Sequence, residues 1–292
     1  MLTNFKKTVG NKKAIVTIGI VSILLLGLLL FATSTIAVKA VNPVPPVGPW
    51  SGLGTASTFA VFATSTITNT GPTTITGDLG LTPGSSVTGF PPGTIIGTQH
   101  VDDSEATSAF TVLTNAYNNA AGQAVTMDLS GTDLGTLAPL VPGVYHFSSS
   151  AQLTGTLTLN GSPNDVWIFQ IGSTLTTASD SHVVIGNAQP CNVIWQVGSS
   201  ATLGTNTDFN GTILAKESIT ANTGATVDGR LLALNGAVTL DTNTINNQKG
   251  QLPLNVVPEY TLGALAALGA SFAALLVYKR KSLPNLHLNT HI

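Results

Sequence analysis

Threonines recur at a fixed spacing in the second half of the chain, where they could form an ordered surface of hydroxyl and methyl groups. Three passes, 18 or 19 residues apart, each end in a Thr-x-x-Thr step: Thr202 and Thr205, Thr220 and Thr223, Thr239 and Thr242. A weaker pass reaches Thr176. A threonine offers a methyl group beside a hydroxyl, and its β-branch restricts χ1. A rank of such side chains predicts a pre-ordered surface that holds water in place.

The length of the repeat indicates the element that carries it. Repeats built from helix pairs need roughly 33 residues or more, so passes near 20 residues predict a β-solenoid. If Ile219 and Ala221 point inward, then Thr220 and Asn222 point outward, because side chains alternate along a strand. A plainer interpretation stays open at this point, since β-branched residues favour strands whatever their function.

Residues of catalytic type do not form a site by spacing. Asp180, Ser181 and His182 are the residue types of a hydrolytic triad, but neighbours on a strand point to opposite faces. Ser181 is therefore not expected to meet the other two. His100 and His146 are isolated and lack the spacing of metal ligands. The sequence predicts no enzyme activity, no metal and no cofactor.

Composition limits the partners. Only 8% of the 292 residues are charged, which excludes a nucleic-acid binder of the basic-patch kind. The acidic residues between Trp50 and Gly250 are scattered singly, a pattern that suits solubility. The single cysteine, Cys191, excludes an intrachain disulfide. We expect the solenoid to be monomeric.

Two apolar stretches frame the threonine-rich region. Residues 14–31 follow four lysines and are typical of a secretory signal or signal-anchor. Residues 260–278 precede Lys279, Arg280 and Lys281, which favour the cytoplasmic side and place the middle of the chain outside. The predicted segments are a signal peptide or signal-anchor (1–40), a Pro-rich tether (41–50), the solenoid (51–247), a linker (248–258), a C-terminal membrane or sorting helix (259–281) and a tail (282–292).

One amphipathic helix interrupts the strands, at about 103–121. Its apolar residues, among them Phe110, Leu113 and Tyr117, recur at intervals of three and four. Asp102, Asp103 and Ser104 offer an N-cap, and Gly122 can end the helix. We expect this helix to pack against one flank of the solenoid and to leave the threonines uncovered.

Several stretches resemble a known family, the DUF3494-type ice-binding proteins. They are LGTASTFAVFATSTITNTGPTTITGDLGLTPGSSVTGFPPG (53–93), PGVY (142–145), VWIFQIGSTLTT (166–177), VIWQVGSSATLGT (193–205), FNGTILA (209–215) and GRLLALNGAVTLDTNT (229–244). The resemblance covers nearly all of residues 51–247. It implies a mainly β fold, an irregular right-handed β-solenoid of triangular section with one long α-helix packed alongside.

The resemblance also implies adsorption to ice through a flat face, which several members mark with Thr-Ala/Gly-x-Thr/Asn steps. The overlapping steps at 220–223 and 223–226 match this pattern, whereas those at 202–205 and 239–242 depart from it at the second position. The expected partner is therefore an ice surface with its ordered water. The expected ice-binding residues are Thr176, Thr202, Thr205, Thr220, Asn222, Thr223, Thr226, Thr239 and Thr242.

The C-terminal arrangement resembles a second type of signal. Pro258-Glu259-Tyr260, the apolar stretch and the basic cluster together are similar to the tripartite sorting tails of prokaryotic, especially archaeal, surface proteins. The expectation is an extracellular, cell-surface-anchored protein that meets the membrane through its C-terminal helix. The alternative to an ice-binding protein is a structural or adhesive surface module on the same scaffold that binds other surfaces or glycans.

Overall fold

A computed structural model describes residues 52–248, which form short strands and one long helix, α1 (Ser104–Ala121). Three 3-10 turns lie at Gly54–Thr58, Leu134–Thr136 and Pro190–Asn192. The strands are, in chain order, β1 (Phe59–Ala63), β2 (Thr66–Thr70), β3 (Thr74–Thr76), β4 (Asp78–Leu81), β5 (Ser86–Thr88), β6 (Thr94–Ile96), β7 (Gln99–Val101), β8 (Met127–Asp128), β9 (Gly143–Phe147), β10 (Ala151–Leu153), β11 (Thr156–Leu159), β12 (Trp167–Ile171), β13 (Leu175–Thr177), β14 (His182–Ile185), β15 (Val193–Val197), β16 (Ala201–Leu203), β17 (Asp208–Ala215), β18 (Ile219–Ala221), β19 (Thr226–Ala233), β20 (Val238–Asp241) and β21 (Thr244–Asn246).

Parallel pairing arranges these strands into three sides. One side is a seven-stranded sheet in the order β10-β13-β16-β18-β20-β2-β5, which we call the threonine face. A 14-stranded sheet wraps the other two sides, because β17 and β19 each turn a corner at a glycine, Gly211 and Gly229, with φ of 122° and 151°. A Cβ on Gly229 would lie 1.9 Å from the Gly211 carbonyl oxygen, so the stacked corners need glycine.

The 14-stranded sheet therefore supplies two named sides. The helix face consists of β7, β4, β1, the ends of β19 and β17, β15, β12, β9 and β8. The third face consists of β6, β3, β21, the starts of β19 and β17, β14 and β11. The predicted mainly β solenoid is confirmed.

The coils do not stack in chain order, which makes the solenoid irregular. The amino-terminal strands lie on its carboxy-terminal end: β1 pairs with β19, β2 with β20 and β3 with β21. At the junction the Asn247 side-chain amide donates to the Thr58 carbonyl oxygen at 2.6 Å. In space, β20 and β21 are thus followed by β1, as if the chain ran on from Asn247 to Thr58.

The interior of the solenoid holds the inward side chains of all three sides. Four aromatic rings stack up its axis from coil to coil. Tyr145 and Phe169 have ring centroids 5.5 Å apart, Phe169 and Trp195 4.0 Å, and Trp195 and Phe209 5.0 Å. In-register pairing of β9, β12 and β15 places the first three of these rings above one another. Such contacts hold successive coils at a fixed height and register.

α1 lies on the helix face, as the sequence predicted. Its Leu113 and Ala116 are buried in one cluster with Ile168, Ile194 and Leu214, while Phe110 and Tyr117 are half-buried there. The threonine face contributes nothing to this cluster. The side that α1 covers is therefore not the side that carries the ranked threonines.

Side-chain caps hold both ends of α1. The Asp103 carboxylate accepts from the Ala106 N–H at 2.8 Å, and Gly122 is the C-cap. That N–H, together with His100, holds the pKa of Asp103 below its ordinary value. At the other end the Gln170 amide donates to the carbonyl oxygens of Ala120, Ala121 and Gln123. These bonds tie the carboxy-terminal end of α1 to β12, where the last helical carbonyls lack an N–H donor four residues further on.

Among residues 52–248 no helix is long and apolar enough to cross a membrane. The apolar stretches 14–31 and 260–278 lie outside the described residues, and so do the predicted tether, linker and tail. The expectations of a signal segment and of a C-terminal membrane helix fall on those parts of the chain.

Candidate functional site

The threonine face carries six threonines in one unbroken line. Parallel register pairs Thr176 with Thr202, Thr202 with Thr220, Thr220 with Thr239, Thr239 with Thr68, and Thr68 with Thr88. We call these six residues the central threonine column. Paired strands lie about 4.8 Å apart, which sets the spacing of the column. Its inward neighbours Ile219 and Val238 are fully buried, so the predicted alternation is confirmed.

Small side chains flank the central threonine column on both sides. Alternation and register place one outward line two positions before the central line on each strand. It consists of Ser150, Thr174, Ser200, Ser218, Ala237, Thr66 and Ser86. A second outward line lies two positions after the central line and consists of Thr154, Ala178, Gly204, Asn222, Asp241 and Thr70. Asp241 is the one ionisable side chain in these described columns. The face therefore presents methyl groups and hydroxyls with almost no charge.

The hydroxyls of this face are largely free for water. Those of Thr176, Thr202 and Thr220 have no hydrogen-bond partner within residues 52–248, whereas the Thr68 hydroxyl donates to that of Thr239 at 3.4 Å. Because the strands fix each Cα and the β-branch restricts χ1, the oxygens stand in a pre-ordered array. Such an array can order a layer of water without first ordering itself.

The turn that follows each threonine-face strand carries the second threonines of the repeat, and one of them departs from the prediction. Thr205 and Thr223 stack in register, but the next position in that line is Asp241, which accepts from the Thr223 hydroxyl. Thr242 instead adopts the left-handed conformation, with φ of 55°. The repeated Thr-x-x-Thr steps predict that Thr205, Thr223 and Thr242 form one column. This prediction is wrong for Thr242, because the turn after β20, counted between paired strand positions, is one residue shorter than the turns after β16 and β18.

The nine residues expected to form one surface divide between two sides. Asn222 points outward on the threonine face beside Thr220, as predicted. Thr226 lies in β19 on the third face, paired with Asp208 below and Thr244 above. The prediction that places Thr226 with the others on one face is therefore wrong, because the chain turns a corner between Thr223 and Thr226.

The residues of catalytic type are held apart. Ser181 is buried and donates to the Leu153 carbonyl oxygen at 3.1 Å. His182 lies on the third face, with its Nδ1 3.1 Å from the Asp208 carboxylate. This pair borders an open depression of about 530 Å³. The described residues contain no group of three side chains that could hold a metal ion. His182 and Asp208 form a hydrogen-bonded pair at the surface, and the hydroxyl of the neighbouring Ser181 is directed to Leu153 instead.

The sequence did not predict two members of the central threonine column, namely Thr68 and Thr88. They precede α1 and belong to no 18- or 19-residue pass. The alternation Thr66-Ile67-Thr68-Asn69-Thr70 indicates an outward threonine line on β2. What the sequence does not contain is the register that sets β2 beside β20.

Comparison with known proteins agrees with this geometry. Residues 61–246 match the family model described as Ice-binding-like. An ice-binding protein from Nostoc sp. (strain HG1) is 53% identical over 236 residues, which cover 79% of this chain and 87% of the relative. Nothing in these matches supports an archaeal origin for the C-terminal segment.

Solved structures resemble the described fold as well. An ice-binding protein from an Antarctic biological consortium is 48% identical with a TM-score of 0.64, covering 66% of this chain and 89% of that chain. An ice-binding protein from the Antarctic ascomycete Antarctomyces psychrotrophicus is 44% identical with a TM-score of 0.64, covering 67% and 97% respectively.

Proposed function

We propose that this chain, which belongs to the Ice-binding-like family, binds ice through its threonine face. The observation that carries the proposal is the central threonine column, six in-register threonines on a side with one ionisable outward residue. Both the family match and relatives that are named ice-binding proteins support ice as the ligand.

The chemistry follows from the side chains. Methyl groups favour caged water above them, while the hydroxyls between them anchor that water at fixed points. Where this layer matches the ice lattice, the protein adsorbs to the crystal. Ice then grows only as curved fronts between adsorbed molecules, which lowers the local freezing point and slows recrystallisation. No bond is made or broken, so this activity needs neither a catalytic base nor a cofactor.

The fold leaves the threonine face accessible. α1 covers the helix face, and the two ends of the described region meet where Asn247 contacts Thr58. That junction joins the third face to the helix face, so it lies at the edge opposite the threonine face. The chain therefore enters and leaves the described region away from the threonine face.

Thr220→Tyr tests the proposed surface. Thr220 lies in the middle of the central threonine column and is partly exposed, so a bulky ring breaks the array at a cost of about 0.5 kcal/mol in folding stability. Ice shaping and recrystallisation inhibition are expected to fall sharply, while the melting temperature hardly changes. Growth of a single ice crystal just below freezing, with micromolar protein, measures the first effect.

Two controls accompany this variant. Thr156→Tyr makes the same change on the third face, in β11, and His182→Ala removes the hydrogen-bond partner of the Asp208 carboxylate. Both are expected to keep ice activity. Full activity in Thr220→Tyr would reject the threonine face. A wild-type protein without ice affinity would leave the structural or adhesive surface module, binding other surfaces or glycans, as the function.

We further propose that the solenoid is exported and displayed at the cell surface as a monomer. The basic and apolar segments predicted at 1–40 and 259–281 support this, as does the sparsely charged, hydroxyl-rich exterior of the solenoid. Fractionation of source cells tests the proposal, and recovery of the protein in the cytoplasm alone contradicts it.

A further inference from the structure

The third face repeats the threonine pattern in four adjacent coils. Its outward residues there are Thr226, Thr244, Thr74 and Thr94, and parallel register pairs each with the next. We call these four residues the third-face threonine column. In the coils below, the same outward position holds Asp208 and then His182, so the pattern is confined to the upper part of the face.

Each member of the third-face threonine column shares a coil with a member of the central threonine column. The pairs are Thr220 with Thr226, Thr239 with Thr244, Thr68 with Thr74, and Thr88 with Thr94. The two columns are built on the same coils, so both rise with the same spacing of about 4.8 Å. If the spacing of the central threonine column fits the ice lattice, the third-face threonine column therefore has the same spacing.

The third-face threonine column is as free for water as the central one. None of its four hydroxyls has a hydrogen-bond partner within residues 52–248. The outward line beside it consists of Asp228, Asn246, Thr76 and Ile96, and Ile96 is 56% exposed. Asp228 at the lower end is the one ionisable residue in these two lines.

The corner between the two columns is rigid. Asn243 is buried there, and its side-chain amide donates to the carbonyl oxygens of Asn222 at 2.8 Å and Ala225 at 3.2 Å. The Asn243 N–H donates to the Thr73 hydroxyl, and its side-chain oxygen accepts from the Asp241 N–H. These bonds tie three successive coils together at the turn. The relative orientation of the two faces is therefore fixed before any ligand arrives, which lowers the entropic cost of binding.

We propose that the third-face threonine column is a second ice-binding surface, which adsorbs to a different crystal plane from the one that the threonine face binds. The inference rests on the proposed function, since it assigns the same ligand to the second surface. Ice is the occupant because the side chains, their spacing and their lack of charge are those of the threonine face, and the two surfaces are continuous through the corner. The faces are inclined to each other, so one flat crystal plane cannot contact both.

Ice-plane affinity separates the two surfaces. The purified full chain, fluorescently labelled, is frozen slowly onto a single-crystal ice hemisphere, and the planes that fluoresce are recorded. Wild type is expected to mark two sets of planes. Thr244→Tyr is expected to lose one set, and Thr202→Tyr, whose coil carries Asp208 in place of a third-face threonine, is expected to lose the other.

Thr156→Tyr is the matched control, since it stands on the third face below His182 and is expected to keep both sets. Circular dichroism checks the fold, and Thr94→Tyr in the exposed end coil replaces Thr244→Tyr if that variant unfolds. A single set of planes in wild type, or both sets retained by Thr244→Tyr and Thr94→Tyr, overturns the second surface. In that case loss of binding in Thr202→Tyr still supports the threonine face. A wild type that marks no plane overturns both proposals.

Discussion

At the scale of single residues, the proposed activity rests on what one threonine offers to water. The Thr239 side chain is exposed in the middle of the central threonine column, and its hydroxyl accepts from Thr68 at 3.4 Å. Its methyl group and its β-branch give the surface an apolar component and a fixed outline. These contributions can be separated, because valine keeps the outline and serine keeps the hydroxyl.

We expect Thr239→Ser to weaken thermal hysteresis more than Thr239→Val does. Serine loses the methyl group and the restriction on χ1, whereas valine loses only the hydroxyl and the bond to Thr68. Both changes lie at an exposed position, so melting temperatures should stay close to that of wild type. Thermal hysteresis at equal protein concentration measures the ranking. The opposite ranking would show that hydroxyl anchoring dominates over the methyl cage.

The sequence predicts side-chain direction well and the membership of surfaces less well. Alternation correctly places Ile219 inward and Thr220 outward, because a strand permits no other arrangement. The place of Thr242 depends on a turn that is one residue shorter than its neighbours, and the side on which Thr226 lies depends on a corner. Spacing along the chain cannot distinguish a step along a face from a step around a corner.

At the scale of elements, short turns with side-chain hydrogen bonds hold the coils in register. The Asp133 carboxylate caps the 3-10 turn Leu134–Thr136, where it accepts from the Gly135 N–H at 2.9 Å. It also accepts from the Thr154 N–H at 2.9 Å, which joins this turn to the end of β10. Burial raises the pKa of Asp133, but hydrogen bonds from Thr154 and Gly135 outweigh it, so the net pKa is lowered.

This lowered pKa predicts how stability responds to acid. A carboxyl group whose pKa is lower in the folded state stabilises the fold above its unfolded pKa, about 3.9 for aspartate, and loses that contribution as pH falls through the folded value. The melting temperature of wild type should therefore fall towards that of Asp133→Asn as pH drops from about 5 to 2. Melting curves of both proteins at each pH measure the difference, in which the other carboxyl groups cancel. A difference that is constant with pH contradicts this role.

Elements with local signals are the ones that the sequence predicts. The expected helix at about 103–121 is observed at Ser104–Ala121, because its N-cap Asp103 and C-cap Gly122 are encoded next to it. The sequence predicted only that α1 packs on a flank that leaves the threonines uncovered. The structure places it on β12, β15 and β17. The strands at Met127–Asp128 and Ser86–Thr88 are too short for a periodic signal and depend on their neighbours in the stack.

At the scale of the whole molecule, the solenoid is continuous in space but not in the chain. β20 and β21 provide two sides of one coil, and β1, from the other end of the region, provides the third. The next two coils are β2-β3-β4 and β5-β6-β7, after which α1 leads the chain away. Pairings that join residues about 170 positions apart, such as Thr68 with Thr239, leave no trace in the sequence. That is why a solenoid and its repeats could be predicted, whereas the upper two members of each threonine column could not.

This arrangement predicts that a circular permutant will fold. Joining Gln248 to Gly52 through a short flexible linker, and opening the chain between the exposed residues Ala124 and Val125, makes the order of coils along the chain match their order in space. Because Asn247 contacts Thr58, six residues after Gly52, a short linker is expected to span the join. We expect one cooperative unfolding transition and unchanged ice shaping, measured by circular dichroism and single-crystal growth.

A truncation after Leu234 is the control, since it removes β20 and β21 from between β18, β19 and the amino-terminal strands, and it should lose the cooperative transition. A permutant that fails to fold would contradict a continuous stack across Asn247 and Thr58. A truncation that unfolds as cooperatively as the intact chain would show that the amino-terminal coils do not depend on the carboxy-terminal strands for their place in the stack.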